Sequence, residues 1–243
     1  MVSAVSFAGF ISVKLYGEKK GIKLTSFFGG LVNSDATVAS ISQKIKSAGS
    51  RAKKLVPSYV SSAILSNTSM LIRNLIIVFI AGGYLLLPKL TVYVSIMIFV
   101  SLLTIFAETF RKDKSKTHKT KLTTPFAIKP AIKFGVLFFV LYVIVNLANS
   151  YFGDTGLVFV TILGSLINSS AIVASIASST ASESITLSTG ITMILVTCTI
   201  SVAKKLFIAK VMGNKLFYKK MILPTAVTTV VGLILIAVSF LFF

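Results

Sequence analysis

Eight apolar stretches, at about 2–16, 24–42, 58–82, 90–107, 134–151, 156–178, 187–203 and 221–243, take up most of this 243-residue chain. Each is long enough to consider as a membrane span or a broken span, since about 20 helical residues cross about 30 Å of hydrocarbon. Composition removes the alternative of core helices in a water-soluble fold. Hydrophobic residues make up 55% and charged residues 13%, against about 45–50% and about 25% in a soluble domain. A soluble protein of this size has too little interior to hide so much apolar side chain, so lipid is the implied solvent. In lipid each backbone N–H and C=O must pair within the protein, which makes helices the default. The short alternating strands of a β-barrel are missing from the pattern. The expected fold is an all-α polytopic membrane protein.

The charge balance fits that expectation. Twenty-five basic against six acidic residues give +19, which in a soluble domain would suggest nucleic acid. Here the basic residues crowd into short runs between apolar stretches, as headgroups and the positive-inside rule require. No nucleic-acid partner is expected. One cysteine, Cys198, and one histidine, His118, exclude an internal disulfide and a His/Cys zinc or copper site. No cofactor is expected. Met1 to Val13 is apolar without a basic leader or clear cleavage site, and reads as a short helix rather than a signal peptide.

The sequence repeats itself. Gly29-Gly30-Leu31-Val32-Asn33-Ser34-Asp35-Ala36-Thr37-Val38-Ala39-Ser40-Ile41 returns as Gly164-Ser165-Leu166-Ile167-Asn168-Ser169-Ser170-Ala171-Ile172-Val173-Ala174-Ser175-Ile176, identical at nine of thirteen positions. Around it, Tyr16-Gly17-Glu18 answers Phe152-Gly153-Asp154, Arg73-Asn74-Leu75 answers Lys204-Lys205-Leu206, and Gly82 answers Gly213. The expected organisation is a first membrane repeat at 1–109, a basic linker at 110–131 and a second repeat at 132–243, each repeat with about four apolar segments.

Charge bears on whether the motif segments cross the bilayer. If all eight segments cross, basic loop residues divide almost evenly between the two sides. If the two motif segments enter and return, the runs 19–23, 44–54, 111–133 and 204–220 fall on one side, with 22 basic residues against Lys89 alone. That is the split expected of a cytoplasmic face. It predicts six full spans plus two re-entrant segments, with eight spans as the alternative, and places basic loops 44–54, 111–133 and 204–220 in the cytoplasm of a multi-pass plasma-membrane protein. Three crossings per repeat would invert the second copy, and inverted repeats place their solute site where broken helices meet near the midplane. Gly29, Gly30 and Gly164, with Asn33-Ser34-Asp35 and Asn168-Ser169-Ser170, have the helix-breaking and N-capping character such a segment needs. The competing reading is that these small residues let continuous helices pack closely.

These residues carry a resemblance. Tyr16-Gly17 through Gly21, the run Thr25 to Ser40, Pro125 to Gly135, and Gly153-Asp154-Thr155-Gly156-Leu157 onward to Ser175 resemble a family of prokaryotic membrane domains, domain-of-unknown-function family 4010. Its members often follow MgtC-type (MgtC/SapB) segments; these 243 residues contain no such segment. The resemblance covers almost the whole chain and implies a relation to magnesium uptake or a transporter, through that association with MgtC. In the family the second motif tends to carry aspartates where this chain has Asn168 and Ser170, and the first carries Ser or Thr where it has Asp35. The family's acidic residues therefore do not carry over as a cation site.

Ionisable groups at membrane depth are costly and mark function by default. Asp35 and Arg73 qualify, and Glu108 closes the fourth segment. Asp35, with the oxygens of Asn33, Ser34, Thr37, Asn168, Ser169 and Ser170, offers hard ligands for Na⁺, K⁺ or Mg²⁺; alternatively it caps a half-helix. With the charge reversed, half-helix N-termini near Arg73 would hold an anion; alternatively Arg73 snorkels or pairs with an aspartate. Lys204 reads as an interfacial anchor. No paired intramembrane aspartates, serine–histidine pair or phosphate loop appears, so no enzyme is expected. The function expected is a transporter or channel for a small inorganic ion, its pathway between the two motif segments, in a lipid bilayer and as a homodimer. The alternative is a non-transporting scaffold or regulatory subunit of a larger membrane complex.

Overall fold

The computed structural model describes residues 2–110, 143–144, 147, 151, 153 and 156–241. All of the expected linker 110–131 after Phe110, including His118, and nearly all of the segment 134–151 lie outside the described residues. Among those described the chain is all-helical: α1 Val2–Ser47, α2 Ala52–Ile80, α3 Leu87–Phe110, α4 Gly156–Ile167, α5 Ser169–Ala181, α6 Leu187–Met212 and α7 Lys215–Leu241. Four of them, α2, α3, α6 and α7, are long and apolar enough to cross a bilayer.

Two expectations about segment limits change. The runs 2–16 and 24–42 fall in one helix, α1, because the intervening Glu18, Lys19, Lys20 and Lys23 are good helix formers and charge alone does not end a helix. The basic run 204–220 is not a loop either: α6 continues to Met212 and α7 begins at Lys215. Only Gly213 and Asn214 separate them, and the Asn214 carboxamide accepts from Phe217 N at 2.8 Å to cap α7 while donating to Ile45 O at 3.2 Å. The turn after α2 is a glycine cap. Gly82 sits at φ +85°, where an L side chain would be strained, and Gly83 N returns to Val78 O at 3.0 Å.

The described chain forms two compact units, each drawing on both halves of the sequence. Unit 1 comprises Met1–Met70, Ile98–Ala127 and Lys204–Val227; unit 2 comprises Leu71–Met97, Ile128–Ala203 and Thr228–Phe243. Unit 1 has an apolar core of Val38, Ile41 and Ile45 from α1, Val56, Tyr59, Val60, Ala63 and Ile64 from α2, and Ala209, Phe217 and Met221 from α6 and α7. In the later part of α1 the buried positions Ser34, Val38, Ile41 and Ile45 recur at helical spacing, so one stripe of that part faces the core. In unit 2 the buried apolar residues include Leu71, Val78, Leu90, Val94, Ile172, Ile176, Ile191 and Leu195.

The outward faces are as apolar as the cores. On α3, Val92, Ile96, Phe99, Leu103 and Phe106 form an exposed stripe, as do Leu223, Val230, Leu233, Ile234 and Leu241 on α7. Water would penalise such stripes at about 25 cal/mol per Å²; lipid does not. The inner helices α2 and α6 carry instead a dense set of buried hydroxyls, Ser61, Ser62, Ser66, Thr68 and Ser69 on one and Thr192, Thr197, Thr199 and Ser201 on the other. Several turn inward on their own helix: Thr68 donates to Ile64 O, Thr197 to Met193 O and Thr199 to Leu195 O, at 2.8–3.2 Å. This satisfies a hydroxyl without leaving the helix.

Candidate functional site: two polar helix breaks

In the second motif the chain leaves the helical conformation at one residue. Asn168 is extended, at φ −153° and ψ 101°, between α4 and α5. Its N–H still bonds back to Gly164 O at 2.8 Å, closing α4, while its side-chain oxygen accepts from Ser170 N at 3.0 Å and Ala171 N at 3.3 Å, opening α5. An asparagine can do this where an aliphatic residue cannot, because it replaces the missing intrahelical acceptor with its own carboxamide; such a cap contributes about 1 kcal/mol. Ser169 and Ser170 are buried at the first turn of α5.

The first motif is helical at every residue, yet it is not straight. Asn33 Oδ1 accepts from Ala36 N at 3.0 Å, the counterpart of the Asn168 cap, and Thr37 Oγ1 donates to Asn33 O at 2.9 Å. Gly29 and Thr37 would stand about 12 Å apart along a straight helix, eight residues at about 1.5 Å each. A methyl group placed on Gly29 would instead lie 2.7 Å from the Thr37 hydroxyl. The helix therefore bends sharply at Asn33, and Gly29 is glycine because the far arm of the bend occupies the space a side chain would need. Gly30, next to it, meets Ser66 and Ser69 of α2: a Cβ there would fall 2.5 Å from Ser66 O and 2.7 Å from Ser66 Oγ, with the Ser69 hydroxyl overlapping it.

Past the bend, Asp35 meets two cations. Lys204 Nζ lies 2.6 Å from one carboxylate oxygen and Lys205 Nζ 2.9 Å from the other. The Lys205 side chain is fully buried and Lys204 is 10% exposed, while Asp35 retains 30%. Lys205 Nζ also reaches Met70 Sδ at 3.5 Å. Lys204, expected as an interfacial anchor, thus pairs with Asp35 together with its neighbour Lys205. Within a basic run, sequence position gave no sign that two lysines turn inward on α6.

Arg73 belongs to the second cluster. Its Nη2 donates to Ser169 Oγ at 3.5 Å and to Asn74 Oδ1 at 3.4 Å, and Asn74 Nδ2 reaches Cys198 Sγ at 3.4 Å. The expected site residues thus divide into two groups. Gly29, Gly30, Asn33, Ser34, Asp35 and Thr37 lie in unit 1, while Gly164, Asn168, Ser169, Ser170 and Arg73 lie in unit 2. Lys204, Lys205 and Asn74 were missed as members. The signal that could have found them is the sequence likeness itself: Arg73-Asn74 corresponds to Lys204-Lys205, and Arg73 meets Ser169 while Lys204 and Lys205 meet Asp35.

Polar atoms without a protein partner accompany these groups. Ser42 Oγ, Ser62 Oγ, Ser66 Oγ and Asn67 Oδ1 in unit 1, and Thr161 Oγ1 and Ser179 Oγ in unit 2, are buried and make no hydrogen bond. Among the described residues no three His, Cys, Asp or Glu side chains come together as a metal site.

Apolar outward faces, four helices of spanning length and a charged cluster on polar inner faces define a helical membrane protein. The chain belongs to the family described as "Domain of unknown function (DUF4010)", whose model matches residues 1–213. No curated protein and no solved structure matches it.

Proposed function

We propose that this protein moves a small inorganic ion across a lipid bilayer, with each polar helix break a station on the route. The observation that carries the reading is the Asp35–Lys204–Lys205 cluster, with one lysine fully buried, on helices whose outer faces suit lipid. Buried charge costs several kcal/mol per ion before pairing, so a scaffold would do better with apolar residues of the same volume. Asparagine-capped breaks and unsatisfied hydroxyls on α2 add a second cost of the same kind, one that passing solute or water would relieve.

The topology belongs to this proposal. The repeats run in opposite directions, the two motif segments enter and return, and the basic runs 44–54, 111–133 and 204–220 face the cytoplasm of a prokaryotic plasma membrane. The protein is no enzyme and works as a homodimer. The sharp bend at Asn33 and the break at Asn168 support re-entry, since each reverses or redirects a helix beside a cluster of polar groups.

Ion flux into proteoliposomes tests the function. Wild type is expected to carry at least one of Na⁺, K⁺, Mg²⁺, chloride or phosphate, and Asn168→Ala and Lys205→Met are expected to slow it tenfold or more. Absence of flux for every ion, or flux indifferent to both substitutions, would favour the packing scaffold, for which the glycine contacts at Gly30, Gly190 and Gly232 would then be the purpose.

A further inference from the structure

Two basic runs far apart in the sequence meet at one end of unit 1. The Asn214 carboxamide donates to Ile45 O at 3.2 Å, which ties the turn between α6 and α7 to the last turn of α1. Lys44 and Lys46 flank Ile45 and Lys215 follows Asn214. Consecutive Cα atoms stand about 3.8 Å apart, so these three lysines leave the backbone beside that bond. Lys53 and Lys54 in the first turn of α2, Lys210 in the last turn of α6 and Lys219 in α7 belong to the same end, because Ile45, Ala52, Ala209 and Phe217 share one core. All seven lysines are exposed.

Their own segments hold nothing to balance them. No Asp or Glu occurs between Asp35 and Glu108 or after Glu183, and Asp35 pairs with Lys204 and Lys205. Among the described residues none of the seven has a carboxylate partner. The positions are also wrong for the helices themselves. A helix N-terminus favours an acidic residue, yet α2 and α7 both open on lysine with no acid in the first turn. Charge of this sign and density calls for an anion from outside the chain. The surroundings say which kind. On α7, Leu216, Lys219, Leu223 and Val227 follow at helical spacing and are all exposed, so one face runs from ammonium groups directly into the outward apolar stripe. A ligand that matches this face carries phosphate at one end and hydrocarbon at the other.

We propose that the joined turns α1–α2 and α6–α7 form a binding site for an anionic phospholipid, its headgroup phosphate between Lys46 and Lys215 and an acyl chain along Leu216, Leu223 and Val227. Phosphate oxygens accept from several ammonium groups at once, and basic pockets between helices are places where headgroups dock. One headgroup then clips together two turns that the Asn214–Ile45 bond already joins. The site needs only the membrane reading, so it stands whether or not an ion crosses.

The test uses the whole protein in a non-ionic detergent at constant ionic strength, with thermal unfolding followed as phosphatidylglycerol is added to the micelles. Wild type is expected to gain stability with phosphatidylglycerol and not with phosphatidylcholine. Lys46→Gln with Lys215→Gln is expected to raise the half-maximal lipid fraction at least fivefold, Lys46→Arg with Lys215→Arg to leave it within twofold, and Lys89→Gln on α3 to leave it unchanged. Lipid phosphorus retained per protein through purification is expected to fall in the same glutamine pair, a readout that holds even if that pair unfolds at a different temperature for other reasons. Equal weakening by Lys89→Gln would mean diffuse charge and overturn the site. So would an equal shift with soluble glycerol 3-phosphate, which lacks the acyl chains, or a shift with a short oligonucleotide and none with the lipid.

Discussion

Replacing Gly30 by alanine adds one methyl group at the point where α1 crosses α2. In most helices the change would stabilise by up to about 1 kcal/mol, since alanine is the better helix former. Here the new carbon would lie 2.5 Å from Ser66 O and 2.7 Å from Ser66 Oγ, and would overlap the Ser69 hydroxyl. The two serine hydroxyls can rotate. The Ser66 carbonyl cannot, because it belongs to the α2 backbone and already accepts from Ser69 Oγ at 3.0 Å. Ordinary carbon–oxygen contact needs roughly 3.3 Å or more, so α1 must move away by several tenths of an ångström. Overpacking of this kind costs about 1–3 kcal/mol, enough to outweigh the helix-propensity gain. Thermal unfolding of the detergent-solubilised protein should show Gly30→Ala below wild type, and Gly30→Val lower still. If Gly30→Ala is as stable as wild type or more so, the tight crossing is wrong, and with it the placement of the bend that follows.

Asn168→Ala should cost about 1–2 kcal/mol in the same assay, because two backbone donors at the start of α5 lose their acceptor; Asn168→Asp should recover most of it. In a buffer low in small anions, Asp35→Asn should destabilise more than Lys205→Met. The first leaves two neighbouring ammonium groups without their carboxylate, at a cost on the order of 3–5 kcal/mol, whereas the second fills the volume and leaves Lys204 paired. An equal or reversed order of midpoints would contradict the geometry of the triad.

The helices were legible in the sequence because apolar runs of spanning length admit little else in lipid. The break at Asn168 was legible too: Gly164 and then Asn-Ser-Ser in apolar company is a stop followed by a cap. Its counterpart at Asn33 could be expected only from the likeness of the two motifs, and its form differs, since the bend falls within the bounds of α1. The lysine pair was not legible from charge, and only its alignment with Arg73-Asn74 pointed to it. Lys204 and Lys205 open a run that continues with Lys210, Lys215, Lys219 and Lys220, and charge density alone reads that run as a loop at the membrane face. What distinguishes the first two is that α6 continues through them, so one helical turn decides between headgroup and interior. Asp35 stood out for its isolation, but which cation would meet it depended on packing between distant segments, which no local pattern encodes.

Cysteine accessibility puts the central claim to its most direct test. The native Cys198 is fully buried and should stay unlabelled in the folded protein, so a Cys198→Ala background provides a clean start. Single cysteines at Ser34 and Ser169, buried beside the two breaks, are then exposed to a small, water-soluble, membrane-impermeant thiol reagent, with Phe99 on the lipid-facing stripe of α3 as the control. A polar route for ions predicts modification at Ser34→Cys and Ser169→Cys, with flux blocked as labelling proceeds, and none at Phe99→Cys. Breaks that are sealed within packed helices would leave both positions as silent as the control, and the account of these two motifs as an ion path would be contradicted.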